Sequence, residues 1–422
     1  MKNKLCGIGE ALIDFIPEVK GQRLKDVPSF KRVAGGAPAN VVGAVTKLGI
    51  PSKFLTKLGD DPFGDYIVEV LDEAGIDTSN IARDKEGETA LAFVSLASDG
   101  NRDFKFYRKN SADLRYSVED IPADILNDCG MIHFCSVDLV ESPMKEAHKK
   151  LIDMAIAQNV KVSFDPNLRF SLWDDLDQLK ETVNDFLKYA DIIKISDEEL
   201  EFITGHTDIK DALDGLFADR AKYVIYTKGA DGAEVYTRNG MVEASGYKID
   251  VRDTTGAGDS FIGAFLYCLL NDEVEDLESV SDDTLRNYLD FANAYAANTT
   301  TKEWVDALNT IDVVFQENKK VRHAWREYLD SLNEKSPHFD SSNSFRLDLL
   351  SEMAVSLGYK NLKQTEIDRF YSPKYFGSQM SRQEILFQEN LRILTRSKSC
   401  AESFTDEEYE QHYKELMEQQ GE

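Results

Sequence analysis

In two stretches of the 422-residue sequence, small residues run directly into an apolar helix pattern, and both stretches carry groups suited to chemistry. One is "DTTGAGDSFIGAF", Asp253 to Phe265. Glycines just before a helix leave its first backbone N–H groups open, with no side chain in the way. Those donors and the helix dipole together make an anion site. Asp259 falls in the first turn, beside whatever the amides of Gly256, Ala257 and Gly258 would hold. A carboxylate next to a bound phosphate is unfavourable unless it takes the proton of an incoming hydroxyl, which is the work of a base in phosphoryl transfer. A helix cap on a tight turn uses the same residues, so this motif alone leaves both readings open. The other stretch, "AGGAPANVVGA" (Ala34 to Ala44), again sets small residues before a helix, with Asn40 able to bond hydroxyls. Asp14, just after the first apolar run, is a further candidate for sugar hydroxyls. Other nucleotide motifs are missing: there is no G-x-x-x-x-G-K-[ST], and "GIGEAL" lacks the third glycine of a dinucleotide fingerprint.

The elements that must position these groups follow from periodicity. "KLCGIGEALIDFIP" reads as a strand, and "FKRVAGGAPANVVGAVTKLGI" as a glycine-rich turn and a helix ending at Gly49. "SKFLTKLG" reads as a short strand and "DPFGDYIVEVLDEAGI" as a helix closed by Gly75. "TALAFVSLASDGNRDFKFYR" reads as a hairpin around Asp99-Gly100. From about residue 120 to 300 short apolar runs ("GMIHFCSV", "KVSFDPN", "DIIKIS", "YVIYTKG") alternate with helical patterns. That rhythm predicts an α/β fold: an open, mostly parallel sheet with helices on both faces. Ligands in such sheets sit at the carboxyl ends of strands, which draws attention to Asp165, Arg169, Ser196, Glu199 and Thr227 to Gly229. The early alternating runs, within about residues 10–34 and 88–110, do not suit a parallel sheet and are expected to form a small β-sheet lid.

Composition excludes several classes. A net charge of −27 argues against nucleic acid, whose binders need a basic face. No stretch has the length and hydrophobicity of a membrane span, and Glu10 and Asp14 interrupt the first apolar run too early for a signal peptide. Five scattered cysteines without a C-x-x-C pair read as reduced thiols of a cytoplasmic protein, and the six histidines show no zinc spacing.

"AGGAPANVVGAVTKLG" with "GDDPFG", and "DTTGAGDSFIGAF" about 200 residues later, resemble the two signatures of the PfkB (ribokinase-like) carbohydrate kinases. "GEALIDF", "FYRKNSADLRY", "DPNLR" and "DIIKISDEELEFITG" are similar to the fructokinase branch, and the resemblance spans about residues 3–302. It implies ATP and magnesium as cofactors, and a sugar, foremost fructose phosphorylated on its 6-hydroxyl, as substrate. A 2-keto-3-deoxygluconate kinase, or another sugar, is the alternative within that class. Asp259 matches the family's base, and the Gly256, Ala257 and Gly258 amides its anion hole. Asp14, Gly35, Gly36 and Asn40 match sugar contacts, and Tyr107 and Arg169 stand where fructokinases touch the sugar or its reactive end. Lys194, Ser196 and Glu199 fall on the N-x-x-E region, which the family associates with the metal and the nucleotide's phosphates, with Ser196 in place of Asn. Lys194 and Ser196 are expected at the nucleotide, and Glu199 is expected to reach magnesium through water. Thr227, Gly229 and Gly232 match the nucleotide loop and Asn293 the adenine neighbourhood. Asp253 and Thr255 match a monovalent-cation site of the potassium type, and a homodimer through the lid is implied.

After residue 302 the strand rhythm and glycine-rich loops stop. The family's usual closing segment is absent, and residues 303–422 read as an appended all-α module, the sign of a fusion. "VDALNTIDVVF…KKVRHAWREYLDSLN" faintly resembles a bacterial domain family of unknown function. A second class of function therefore stands beside the kinase: a kinase-fold scaffold presenting a helical binding module, whose partner is unknown.

Overall fold

Runs rich in Val, Ile and Phe pack on both faces of a sheet, and the four found after residue 120 become its parallel centre. In this computed structural model the described residues are 2–300 except 20, 97–101, 248, 250, 252 and 253. They belong to one compact unit, Met1–Thr310. The expected helical module, Cys400, the Asp99-Gly100 turn and Asp253 lie outside the described residues.

The chain begins with β1 (Lys4–Ile8), β2 (Leu12–Pro17), β3 (Phe30–Gly35), α1 (Ala37–Lys47), β4 (Ser52–Leu55) and β5 (Lys57–Gly59). Next come α2 (Pro62–Glu73), β6 (Ala82–Asp84), β7 (Leu91–Leu96), β8 (Arg102–Tyr107), β9 (Cys129–Cys135) and α3 (Pro143–Ala157). Then follow β10 (Lys161–Asp165), α4 (Leu176–Leu187), β11 (Ile192–Ser196), α5 (Asp197–Thr204), α6 (Ile209–Leu216) and β12 (Tyr223–Thr227). The described part closes with β13 (Gly232–Thr237), β14 (Gly240–Ser245), α7 (Ala257–Asn271) and α8 (Asp282–Thr300).

The main sheet has the order β14-β13-β12-β11-β10-β9-β1-β4. It is parallel from β4 to β12, and β12, β13 and β14 form an antiparallel meander at one edge. A four-stranded sheet, β3-β2-β7-β8, stands apart as the expected small sheet, and β5 pairs with β6 in a third. Two expected single strands are each divided. "KLCGIGEALIDFIP" is β1 in the main sheet and β2 in the small one, and "SKFLTKLG" is β4 and β5. In both cases the break is where the chain leaves one sheet for another, which periodicity does not mark.

On one face of the main sheet, Leu151 of α3, Val183 of α4 and Ile203 of α5 help bury Phe134 and Phe164, whose rings stack at 4.6 Å. On the other face lie Val41 and Val45 of α1, Phe265 of α7 and Tyr288 of α8. Helices α1 and α7 approach closely because residue 263 is glycine: a Cβ there would lie 2.7 Å from the Ala44 Cβ. That contact draws together the helices that begin in the two glycine-rich stretches. The described cysteines, Cys6, Cys129, Cys135 and Cys268, are buried free thiols. No helix among the described residues is long and apolar enough to cross a membrane.

Candidate active site

Asp259 sits in the first turn of α7, 7% exposed. Helix α7 starts from Gly256, whose φ of 70° is a left-handed conformation open to glycine. The Asn40 Nδ2, from the first turn of α1, donates to Asp259 Oδ2 at 2.8 Å. Asn167, in the loop after β10, donates its Nδ2 to Oδ1 at 3.0 Å. Both carboxylate oxygens are thus oriented by amides from distant parts of the chain. Burial pushes the Asp259 carboxyl up from the ordinary aspartate value, and Asn40, Arg169, Lys194 and Asn167 only partly oppose it. A carboxylate so placed is a better proton acceptor than a solvated one. Of the expected anion-hole donors, the Ala257 N–H turns back to the Thr254 carbonyl at 3.2 Å. Those of Gly256 and Gly258 make no bond to the described residues, as helix-end donors do.

Under this helix end lies a buried ion pair. Lys194 Nζ, from β11, is 3.1 Å from Asp165 Oδ1 and 3.0 Å from Oδ2, at the end of neighbouring β10. A Cβ on Gly258 would be 3.4 Å from the same Nζ. Ser196 and Glu199 form a capping box on α5: the Ser196 hydroxyl donates to Glu199 Oε2 at 2.7 Å, while Oε1 accepts the Leu168 N–H at 2.8 Å. The visible work of both is to hold α5 and the 166–169 loop. Arg169, half-buried in that loop, donates to the Leu168 carbonyl at 3.0 Å, and its charge is near enough to favour the ionised Asp259.

The expected sugar loop comes together at the end of β3. A Cβ on Gly35 would lie 2.1 Å from Asp14 Oδ2, so the missing side chain is what gives the Asp14 carboxylate its place. Gly36, at φ 119°, passes so near the Glu10 carbonyl that a Cβ would be 2.3 Å from it. The Glu10 carboxylate, deep between β1 and β2, accepts the Ala37 N–H at 2.8 Å and so caps α1 one turn before Asn40.

Other expected residues are placed differently. Tyr107 stands apart from the sugar loop: strand register puts Asp14, Ala92 and Phe106 on one face of the small sheet and Tyr107 with Phe93 on the other. Its ring meets Phe93 edge-on at 5.5 Å and the residue is 60% exposed, so Tyr107 turns away from Asp14 in this chain. Thr227 ends β12 beside Ser196, and Gly229 has open space where a side chain would be. Gly232 answers a packing need, since a Cβ would lie 2.2 Å from the Ala244 carbonyl oxygen. Asn293 donates to the Ala244 and Ser245 carbonyls at 3.2 and 3.3 Å, tying α8 to β14. Thr255 is half-buried, and its expected partner Asp253 lies outside the described residues. Among the described residues no cluster of His, Cys, Asp or Glu could by itself hold a metal ion.

Two residues of the cluster escape sequence reasoning as functional groups, Asn167 and Glu10. Asn167 does lie just beyond a parallel strand end, the position where ligands bind. Glu10 looks like a surface acid interrupting an apolar run.

The sequence pattern of the pfkB family carbohydrate kinases matches residues 2–310. A family of unknown function matches residues 272–413, which covers the segment where the second resemblance was expected. Fructokinase-2 of Solanum lycopersicum is 40% identical over 301 residues, 71% of this chain and 90% of the relative. The probable fructokinase-4 of Arabidopsis thaliana is also 40% identical, over 72% of this chain and 92% of its own. Among solved structures, a fructokinase with bound ATP from Xylella fastidiosa superposes with a TM-score of 0.66 at 32% identity, covering 75% of this chain and 99% of its own. A putative ribokinase II in complex with ATP and Mg+2 from E. coli gives 0.65 at 29%, covering 74% and 98%. A fructokinase double mutant from Vibrio cholerae O395, in a form with bound fructose, ADP and potassium ion, gives 0.64 at 32%, covering 72% and 95%.

Proposed function

The chain belongs to the pfkB family of carbohydrate kinases, and from that premise we propose that it transfers the γ-phosphoryl group of ATP to the 6-hydroxyl of fructose. The observation that carries this is the buried Asp259 carboxylate, held by Asn40 and Asn167 at a helix end with open amides. In this reading Asp14 and the Gly35–Asn40 loop hold sugar hydroxyls and bring the primary hydroxyl to Asp259. The carboxylate accepts that proton as the oxygen attacks the γ-phosphorus, and the bond to the bridging oxygen breaks to release ADP. The Gly256 and Gly258 amides, with Arg169 and Lys194 behind them, stabilise charge on the moving phosphoryl group.

Magnesium would neutralise charge on the nucleotide's phosphates. With no direct cage among the described residues, it would be held by those phosphates, with Glu199 reached through water. Potassium, bound in the Vibrio relative, would fall near Thr255 and Asp253. We place the kinase domain at residues 1–302 and a separate module at 303–422. For assembly we propose a homodimer through the small sheet, one face of which carries the half-buried Phe15 and Phe93 and the exposed Tyr107; light scattering distinguishes it from a monomer.

The test is a panel of sugars with coupled detection of ADP. Fructose is expected to give the highest kcat/KM. Preference for an acidic sugar such as 2-keto-3-deoxygluconate overturns the substrate, and absence of turnover with every sugar overturns the kinase in favour of a scaffold.

A further inference from the structure

Asp165, a buried acid close to Asp259, has no task in the kinase reading. Asp165 is fully buried at the end of β10, and both its oxygens lie against the Lys194 ammonium. Lys194 is itself buried in the middle of β11, one residue beyond the Phe164–Ile193 pair, and its Nζ stands beneath Gly258. A buried ion pair is a poor source of stability, because desolvation offsets most of the attraction, and two apolar residues would fill the space at less cost. Its location suggests a use. The ammonium faces Asp259 on α7, Glu199 on α5, and His133 and Cys135 on β9, besides Asp165 on β10. Arg169 is a second cation whose charge acts on Asp259.

We propose that Asp165 and Lys194 act as one positioning unit, in which the Asp165 carboxylate pins the Lys194 ammonium beneath Gly258, so that a fixed positive charge backs both the α7 helix end and Asp259. The inference rests on the kinase reading for its purpose, though its test does not. Burial opposes the charge on Lys194, but Asp165, Glu199 and Asp259 outweigh burial and keep it protonated far above neutrality. Burial also pushes the Asp165 carboxyl up to about 7 against the pull of that ammonium, so the pair is fully charged only above that pH. Burial likewise keeps His133 neutral, down at about 3, with Lys194 adding to the effect, so the ring does not compete for the role. Without Asp165, a four-carbon side chain is free to swing to Asp259 or Glu199, the remaining acids in its field.

The test follows the carboxyl-carbon NMR signal of Asp259 over pH in the full chain, selectively labelled at aspartate and assigned by its loss in Asp259→Asn. Lys194→Met removes the backing charge and is expected to move the Asp259 titration up by about one pH unit. Asp165→Asn frees the ammonium toward Asp259 and is expected to move it down by a similar amount. Lys194→Arg keeps the charge and is expected to stay near wild type. A merely structural pair predicts something else: both disruptive variants loosen the site and carry Asp259 the same way, toward the solvated value. Shifts of the same sign, or none in either variant, overturn the proposal. Circular dichroism confirms that each variant is folded, and if Lys194→Met does not fold, Lys194→Gln carries the same prediction. Because the readout needs no turnover, a chain inactive on every sugar overturns the kinase reading while leaving this inference to stand or fall on the NMR shifts.

Discussion

Replacing Asn167 by glycine isolates one hydrogen bond to the base. Asn167 sits at φ 46°, where asparagine is tolerated and alanine would add strain of about 1–2 kcal/mol. Glycine takes that conformation freely, so the substitution removes the amide and leaves the backbone alone. The lost bond runs from Nδ2 to Asp259 Oδ1 at 3.0 Å. A hydrogen bond to a charged group contributes about 1.5–3 kcal/mol. It favours the ionised carboxylate, so at about 1.4 kcal/mol per pH unit its loss moves the Asp259 titration up by about one to two units. The assay is kcat/KM for fructose against pH, in which the acid limb reports ionisation of the free enzyme's base. The limb is expected to move up, with a loss of about 10- to 100-fold below it that shrinks at higher pH. An unmoved limb with unchanged kcat/KM would refute the reasoning, since Asn167 would then not act on the base at all.

Other outcomes follow from the same geometry. Gly35→Ala forces a methyl onto Asp14 Oδ2 and should raise the KM for fructose by about tenfold or more, the worth of one charge-assisted bond, leaving the KM for ATP nearly unchanged in steady-state kinetics. Gly263→Ala crowds Ala44 and should cost about 1–3 kcal/mol in urea unfolding, with turnover falling as α1 and α7 separate. Burial pushes the Glu10 carboxyl from 4.5 up to about 7, partly opposed by Arg108. Between those values the folded state binds more proton than the unfolded one, so stability falls as pH rises. The loss through Glu10 is on the order of 3 kcal/mol by pH 8, and Glu10→Gln, which can still accept the Ala37 N–H, should flatten it in urea unfolding at pH 5 and pH 8.

Much of the main sheet is legible in the sequence because strands buried on both faces spell continuous apolar runs, as "GMIHFCSV" and "YVIYTKG" do. Less legible is where a strand changes sheet: nothing in the period of "KLCGIGEALIDFIP" marks the crossing at residues 9–11. The meander of β13 and β14 is also hard to read, since "GAEVYT" and "GMVEAS" are short edge strands with weak alternation. Of the site, Asp259 and Asn40 are readable because glycines announce a helix start. Their meeting across 219 residues depends on the tight α1–α7 contact at Gly263, which no local pattern encodes. The amide of Asn167 reaches Asp259 across 92 residues from a left-handed backbone position. Tyr107 shows the converse: its place in the motif suggests the sugar, but the two-residue period of β8 turns it to the other face.

The most direct test of the base is the turnover of Asp259→Asn with fructose and ATP, measured alongside calorimetric affinity for fructose. The side chain keeps its size and one acceptor oxygen but loses its charge and its capacity to take a proton, and its new NH2 group faces one of the two amide donors, Asn40 or Asn167. Turnover is predicted to fall by about 10²–10⁴ while fructose affinity stays within a few-fold of wild type. Near-normal turnover in that variant would contradict the assignment of Asp259 as the group that receives the hydroxyl's proton.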